Sequence, residues 1–182
     1  LCDSKNNYYI DSAIVKDIIP ILSNREIYTF DQKKNYCLLK REYLSMEVQF
    51  DAMIAAYLLN INSKDDIAYL MNSSGYEVPF YSQSLKNGFD EKDIVLKARF
   101  VYDKQAEYMD SLEKEEMLAL FTTIEMPLVT VLAQMEYEGI HVDASVLKDM
   151  EEEMSFRIGD IEKEIYILAG EEFNISSPKQ LG

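Results

Sequence analysis

Cysteine and histidine are nearly absent from this chain: two Cys and one His in 182 residues. Cys2 and Cys37 stand in no metal-type or redox-type spacing, which argues against a zinc centre and a disulfide framework. A reducing, cytoplasmic setting with free thiols is the expectation. No uninterrupted apolar run reaches the ~18 residues of a membrane-spanning helix, and nothing has the layout of a signal peptide, so no membrane partner is expected. Basic residues are scarce too, with 18 Lys and Arg against 33 Asp and Glu. The imbalance is local. Residues 1–100 hold 14 acids against 12 bases, whereas residues 101–172 hold 19 against 5. Duplex binding is driven largely by Lys and Arg displacing counterions, so the chain alone should bind DNA weakly. Internal repeats and low-complexity tracts are also missing.

What is present suffices for one domain and an appendage. Tyr8 to Ile10 reads as the end of a strand, and Asp11 as the cap of a helix with Ile14, Ile18, Ile19 and Leu22 inward and Pro20 near its end. Glu26 to Phe30 is β-rich and reads as a short buried parallel strand. Residues 32–44 suit a helix, Met46 to Phe50 an extended connector, and Asp51 the cap of a helix through Leu59. Strands alternating with helices indicate an α/β unit. Residues 64–71 and 91–121 read as helices around a Gly/Ser/Asn-rich loop at 72–88. Pro127 can open a helix whose stripe Leu128, Val131, Leu132 and Met135 faces inward and which Gly139 ends. Asp143 caps the next, running to Gly170. Its seam of Leu147, Met150, Met154, Ile158, Ile161, Ile165 and Leu168 predicts helix-pair packing in a hairpin. Glu151 to Glu153 read as a solvated face, and His141 as a surface residue.

The last residues prepare a helix start. Ser177 is a good N-cap, Pro178 fits the first helical position and Gln180 completes a capping box. The chain ends two residues later and begins on Leu1, so it is expected to be a piece of a larger protein. A helix N-terminus offers free N–H groups to a phosphate, and Lys179 adds a donor.

Glu125-Met-Pro-Leu-Val-Thr-Val-Leu-Ala-Gln-Met-Glu136, Gly139-Ile-His-Val-Asp143 and Ile165 to Gly182 form an ordered series. It resembles bacterial family A DNA polymerases, where such a stretch joins the 3′→5′ exonuclease domain to the thumb. Phe50 to Leu59 matches a helix of the exonuclease-like domain less closely. The implied architecture is α/β: a partial RNase-H-like domain over 1–121, lacking its N-terminal strands, then a helical hairpin of the thumb over 122–182. The implied parent is a magnesium-dependent, monomeric polymerase of replication and repair, bound to primer–template DNA, with palm and fingers on the same chain. The resemblance makes Asn174, Ser176, Ser177 and Lys179 DNA-contacting.

The exonuclease family holds two metal ions with carboxylates that activate water. Its Asp-x-Glu pair has no counterpart in the strand region here. Its second motif, roughly Asn-Leu-Lys-Tyr-Asp, falls on Asp31 to Asn35, placing Asn35 at a ligand position. The third, Tyr-x-x-x-Asp, falls on Phe100 to Lys104: Phe100 lacks the water-orienting hydroxyl and Lys104 has the wrong sign for a ligand. Asp103 lies one residue away, about 100° round a helix. The expectation is a non-catalytic scaffold, without catalytic or metal-binding residues and without a cofactor of its own. The alternatives are an active exonuclease with acids upstream, or an unrelated helical interaction module built on 143–169.

Overall fold

The computed structural model describes residues 1–22, 24–42, 44–61 and 64–181, with the side chain of Leu181 left aside. It divides into two compact units, Leu1–Gly139 and Ile140–Gly182. The boundary expected at residue 121 falls instead within a continuous helical run, because the helix that follows packs on the first unit.

In the first unit a 3-10 turn, Ser12–Ile14, leads into α1 (Val15–Leu22). Then come β1 (Tyr28–Thr29), α2 (Gln32–Arg41), β2 (Phe50–Asp51), α3 (Ala52–Leu58), α4 (Ala68–Ser73), α5 (Tyr81–Asn87) and α6 (Glu91–Lys114). A run of α7 (Leu118–Leu120), a π turn (Phe121–Glu125) and α8 (Met126–Glu138) completes it. β1 and β2 are parallel, with Tyr28 opposite Phe50 and Thr29 opposite Asp51. The fold is therefore mostly helical around a small parallel sheet, and the strand expected over Glu26 to Phe30 pairs through two residues only.

Short polar side chains start the helices as expected. Asp11 accepts the Ala13 N–H, Asp31 that of Lys34 and Asp51 that of Met53. The expected strand at Tyr8 to Ile10 does not form. The Asp3 carboxylate takes the N–H groups of Lys5 and Asn6, making a tight turn that folds residues 1–8 back on themselves. Tyr8 then exchanges backbone hydrogen bonds with Leu1. Ile14 is exposed and Ile18, Ile19 and Leu22 are only half-buried, so α1 covers little. The helix expected over 64–71 begins later, at Ala68, whose N–H donates to the Asp66 carboxylate. Residues 72–88 contain α5, which the sequence concealed because Tyr81 to Asn87 has no apolar period.

The core gathers Phe50, Phe100, Phe121, Leu70, Met71 and Leu112, all fully buried. Phe50 lies 5.8 Å from Phe121 and meets Tyr28 edge-on at 6.0 Å. Ala52, Ala55 and Ala56 are buried too, and their small side chains let α3 approach α6 closely. α8 packs on α2. The faces of α8 are the reverse of the expectation: Val129 and Ala133 are buried, while Leu128, Val131, Leu132 and Met135 are 41–63% exposed. Close approach decides this, since Cys37 Sγ donates to the Ala133 carbonyl and Lys33 pairs with Glu136 at 2.7 Å. A small residue suits that contact better than a leucine stripe.

The run Leu118–Glu138 is long and apolar enough to cross a bilayer by length and composition. Glu125 interrupts it, so it is not an uninterrupted apolar run in the sequence. Phe121, Val129 and Ala133 are buried within the unit, while most of the run is exposed.

The second unit consists of α9 (Ala144–Ala169) and α10 (Pro178–Leu181). Asp143 accepts the Ser145 N–H, and Gly170 ends α9 at φ +78°, a conformation that favours glycine. No residue of α9 is buried; of the seam expected to pack, Ile165 is half-buried and the other residues are exposed. Tyr166 and Phe173 meet edge-on at 5.8 Å and fold the chain after Gly170 against the helix. His141 and Glu151 to Glu153 are exposed, as expected. Gly182, which closes the matching stretch, lies outside the described residues.

Candidate functional site

The parallel strands end together, and both helices that follow begin there. Asp51 sits at this junction, fully buried. Its carboxylate accepts the N–H of Met53 at 2.9 Å, opening α3, and those of Asp31 at 3.1 Å and Gln32 at 2.6 Å, opening α2. Asp31 adopts φ +59°, a left-handed conformation that Asp tolerates better than most residues. Asp51 thus caps two helices, whereas the sequence indicated one. No local signal exposes the second role, because Asp51 and Gln32 are 19 residues apart.

Beside the junction lies a cleft of about 610 Å³, whose lining includes Asp31, Lys34, Asn35, Tyr81, Phe89 and Lys97. Asn35 shows why a metal does not fit. Its Nδ2 donates to Thr29 Oγ1 at 2.8 Å and to the Phe30 carbonyl at 3.1 Å. A carboxylate there has no hydrogen to give the carbonyl and would repel it. Phe100 is buried, edge-on to Tyr76 at 5.4 Å. Lys104 donates to Glu107 at 2.6 Å, and Asp103 forms a two-bond pair with Arg99. Neither Phe100 nor Lys104 lines the cleft, so the three motif positions do not converge on it. Among the described residues no three His, Cys, Asp or Glu side chains are placed to hold a metal ion. An amide at Asn35, a phenyl ring at Phe100 and an ammonium at Lys104 offer no carboxylate to a divalent ion.

The four residues expected to meet DNA fall together in one turn at the start of α10. Asn174 Oδ1 accepts the Ser176 N–H at 3.0 Å, and the Asn174 carbonyl accepts the Ser177 N–H at 2.9 Å. Gln180 reaches back to the Asn174 N–H at 2.8 Å rather than to Ser177, so the expected capping box is displaced by three residues. Asn174 therefore builds the turn. Ser176 and Lys179 are exposed and Ser177 is half-buried.

Three comparisons bear on this geometry. Residues 2–85 match the ribonuclease H-like domain of DNA polymerase I. DNA polymerase I of Bacillus subtilis is 33% identical over 185 residues, covering 95% of this chain and 21% of that protein. That of Rhizobium leguminosarum is 47% identical over 66 residues, 36% of this chain and 6% of that protein. The chain thus spans about a fifth of the length of the B. subtilis relative. Among solved structures, the POL domain of Pol1 from M. smegmatis, in complex with DNA primer-template and dNTP, superposes with a TM-score of 0.73. It covers 95% of this chain and 30% of that chain at 24% identity, a likeness of fold.

Proposed function

Since the chain belongs to the DNA polymerase I family and carries its ribonuclease H-like domain, we propose that it is a section of a DNA-directed DNA polymerase whose exonuclease-like domain no longer cleaves. In this reading residues 1–139 are a scaffold, and 140–182 form the base of a thumb that helps hold primer–template DNA. The polymerase reaction, its magnesium, and the palm and fingers belong to the rest of a monomeric, cytoplasmic protein of replication and repair. The observation that carries the reading is Asn35, whose amide donates two hydrogen bonds at a position where catalysis needs an acceptor.

Incubated with labelled single-stranded DNA and magnesium or manganese, the chain should leave 3′ ends intact. Asn35→Asp with Lys104→Asp should not create cleavage, because the hydroxyl that Phe100 lacks and the upstream acid pair remain unsupplied. Steady 3′-end digestion, lost in Asp31→Ala or Asp103→Ala, would overturn the proposal.

The DNA-holding part rests on the exposed turn at α10. In the whole polymerase, Lys179→Ala should weaken primer–template binding and lower the log–log salt slope by roughly 0.9, the loss of one phosphate contact. Ser176→Ala should weaken it without that change of slope. Asn174→Ala is a poor probe, as its side chain holds the turn itself. Unchanged affinity and slope in Lys179→Ala would leave the turn a purely structural element.

A further inference from the structure

α5 is only lightly attached to the first unit. Its seven residues make a helix too short to hold itself in water, so its stability must come from its neighbours. Among the described residues it packs broadly on no other helix or strand, and Ser84 is its one buried residue. Tyr81 and Leu85 are 54% and 59% exposed.

What holds α5 lies at its beginning. One oxygen of the Asp66 carboxylate accepts the Tyr81 N–H at 2.6 Å, while the other takes the Ala68 N–H at the start of α4. Lys97, on α6, donates to the Pro79 carbonyl at 3.0 Å, and Lys34, on α2, lies over the Tyr81 ring. Phe80 meets Tyr69 of α4 with ring centres 4.7 Å apart. Among the described residues no hydrogen bond or ion pair joins residues 82–89 to anything before Phe80 or after Phe89. Both ends of this segment are built to bend. Pro79 has no N–H to tie down, and Gly88 takes φ +92° with open space around it.

We propose that α5 is a hinged flap on the cleft beside the strand ends, latched at its first turn by Asp66 and Lys97, and that it opens while the rest of the first unit stays folded. Opening takes Tyr81, Ser82 and Phe89 out of the cleft lining and leaves Asp31 and Asn35 in place, so the latch sets access to them. It releases two hydrogen bonds and exposes little buried apolar surface, which places it far below global unfolding in free energy. The scaffold thus has a moving part of its own.

The test follows amide hydrogen exchange in the 182-residue chain by NMR. The amides of Ser84 to Asn87 should exchange at least about 100-fold faster than those of Ala55, Ala56 and Leu112 in the core. Low urea should accelerate the core amides and leave α5 unchanged, because sensitivity to urea scales with the surface exposed. Asp66→Ala and Lys97→Met each remove one latch and should speed exchange in α5 by roughly three- to tenfold, with core rates unchanged. Asp66→Ala also loosens the start of α4, whereas Lys97→Met keeps the Ala68 hydrogen bond and carries the same test by itself. Exchange of α5 at core rates, or a urea dependence as steep as that of the core, would overturn the proposal. So would a Lys97→Met variant that leaves α5 unchanged or speeds the core equally.

Discussion

Asp51→Ala should lower the unfolding free energy by about 3 kcal/mol, measured by urea denaturation, because one side chain caps two helices. Each cap is worth roughly 1 kcal/mol, and buried N–H groups left without an acceptor cost about 1–3 kcal/mol more. The donors affected are those of Asp31, Gln32 and Met53. A loss under about 1 kcal/mol, the worth of one surface cap, would mean that α2 does not depend on this residue. Its pH dependence has a definite sign. Burial pushes the Asp51 carboxyl above the ordinary carboxylate range, while the three N–H groups pull against that rise. The folded protein then holds the proton more tightly than the unfolded one. The linked stability is fully present below the unfolded carboxylate pKa and is lost as pH rises through the higher folded value. Asp51→Asn is neutral throughout and lacks this dependence. The advantage of the wild type over Asp51→Asn should therefore shrink as pH rises above the ordinary carboxylate range of about 4. An advantage that grows instead would show that hydrogen bonding to the charged form outweighs burial.

A second large effect is expected at Phe100. Phe100→Ala should cost about 3–5 kcal/mol and lower the melting temperature of the first unit by roughly 10 °C. The residue is 1% exposed and meets Tyr76 edge-on, so truncation opens a cavity among rings that cannot collapse into it. Phe100→Tyr restores the family's hydroxyl at the motif position but introduces it into the core. It should destabilise the protein without producing nuclease activity, as read by melting and by 3′-end digestion. A neutral Phe100→Ala would contradict the assignment of this position to packing.

The sequence revealed those features whose physics is local. Asp11, Asp31, Asp51 and Asp143 all cap helices within three residues of themselves, and Gly139 and Gly170 stop helices with positive φ. The side chains at Asn35, Phe100 and Lys104 were likewise legible as unlike metal ligands from their chemistry. Their replacement partners were not, because Thr29, Tyr76 and Glu107 are ordinary residues until the fold brings them near. The inward face of α8 was misjudged for a related reason. Both Leu128-Val131-Leu132-Met135 and Val129-Ala133 have helical spacing, and only close contact with α2 selects the smaller pair. The part Asn174 plays in the turn was not legible, because a side chain reaching back six residues, as Gln180 does, belongs to no standard capping pattern.

The pairing of α2 with α8 bears on how the protein emerges from the ribosome. Lys33 and Glu136 are 103 residues apart, and Cys37 and Ala133 are 96 apart. α2 is synthesised early but meets its neighbour only when most of the first unit has been made. Such distant contacts carry a loop-closure penalty and slow folding. Until α8 arrives, the nascent chain displays the face of α2 that Ala133 will cover, open to chaperones and to unwanted association. Completion of the domain is thus timed by its last helix, and a nascent chain paused before residue 126 holds an unfinished core.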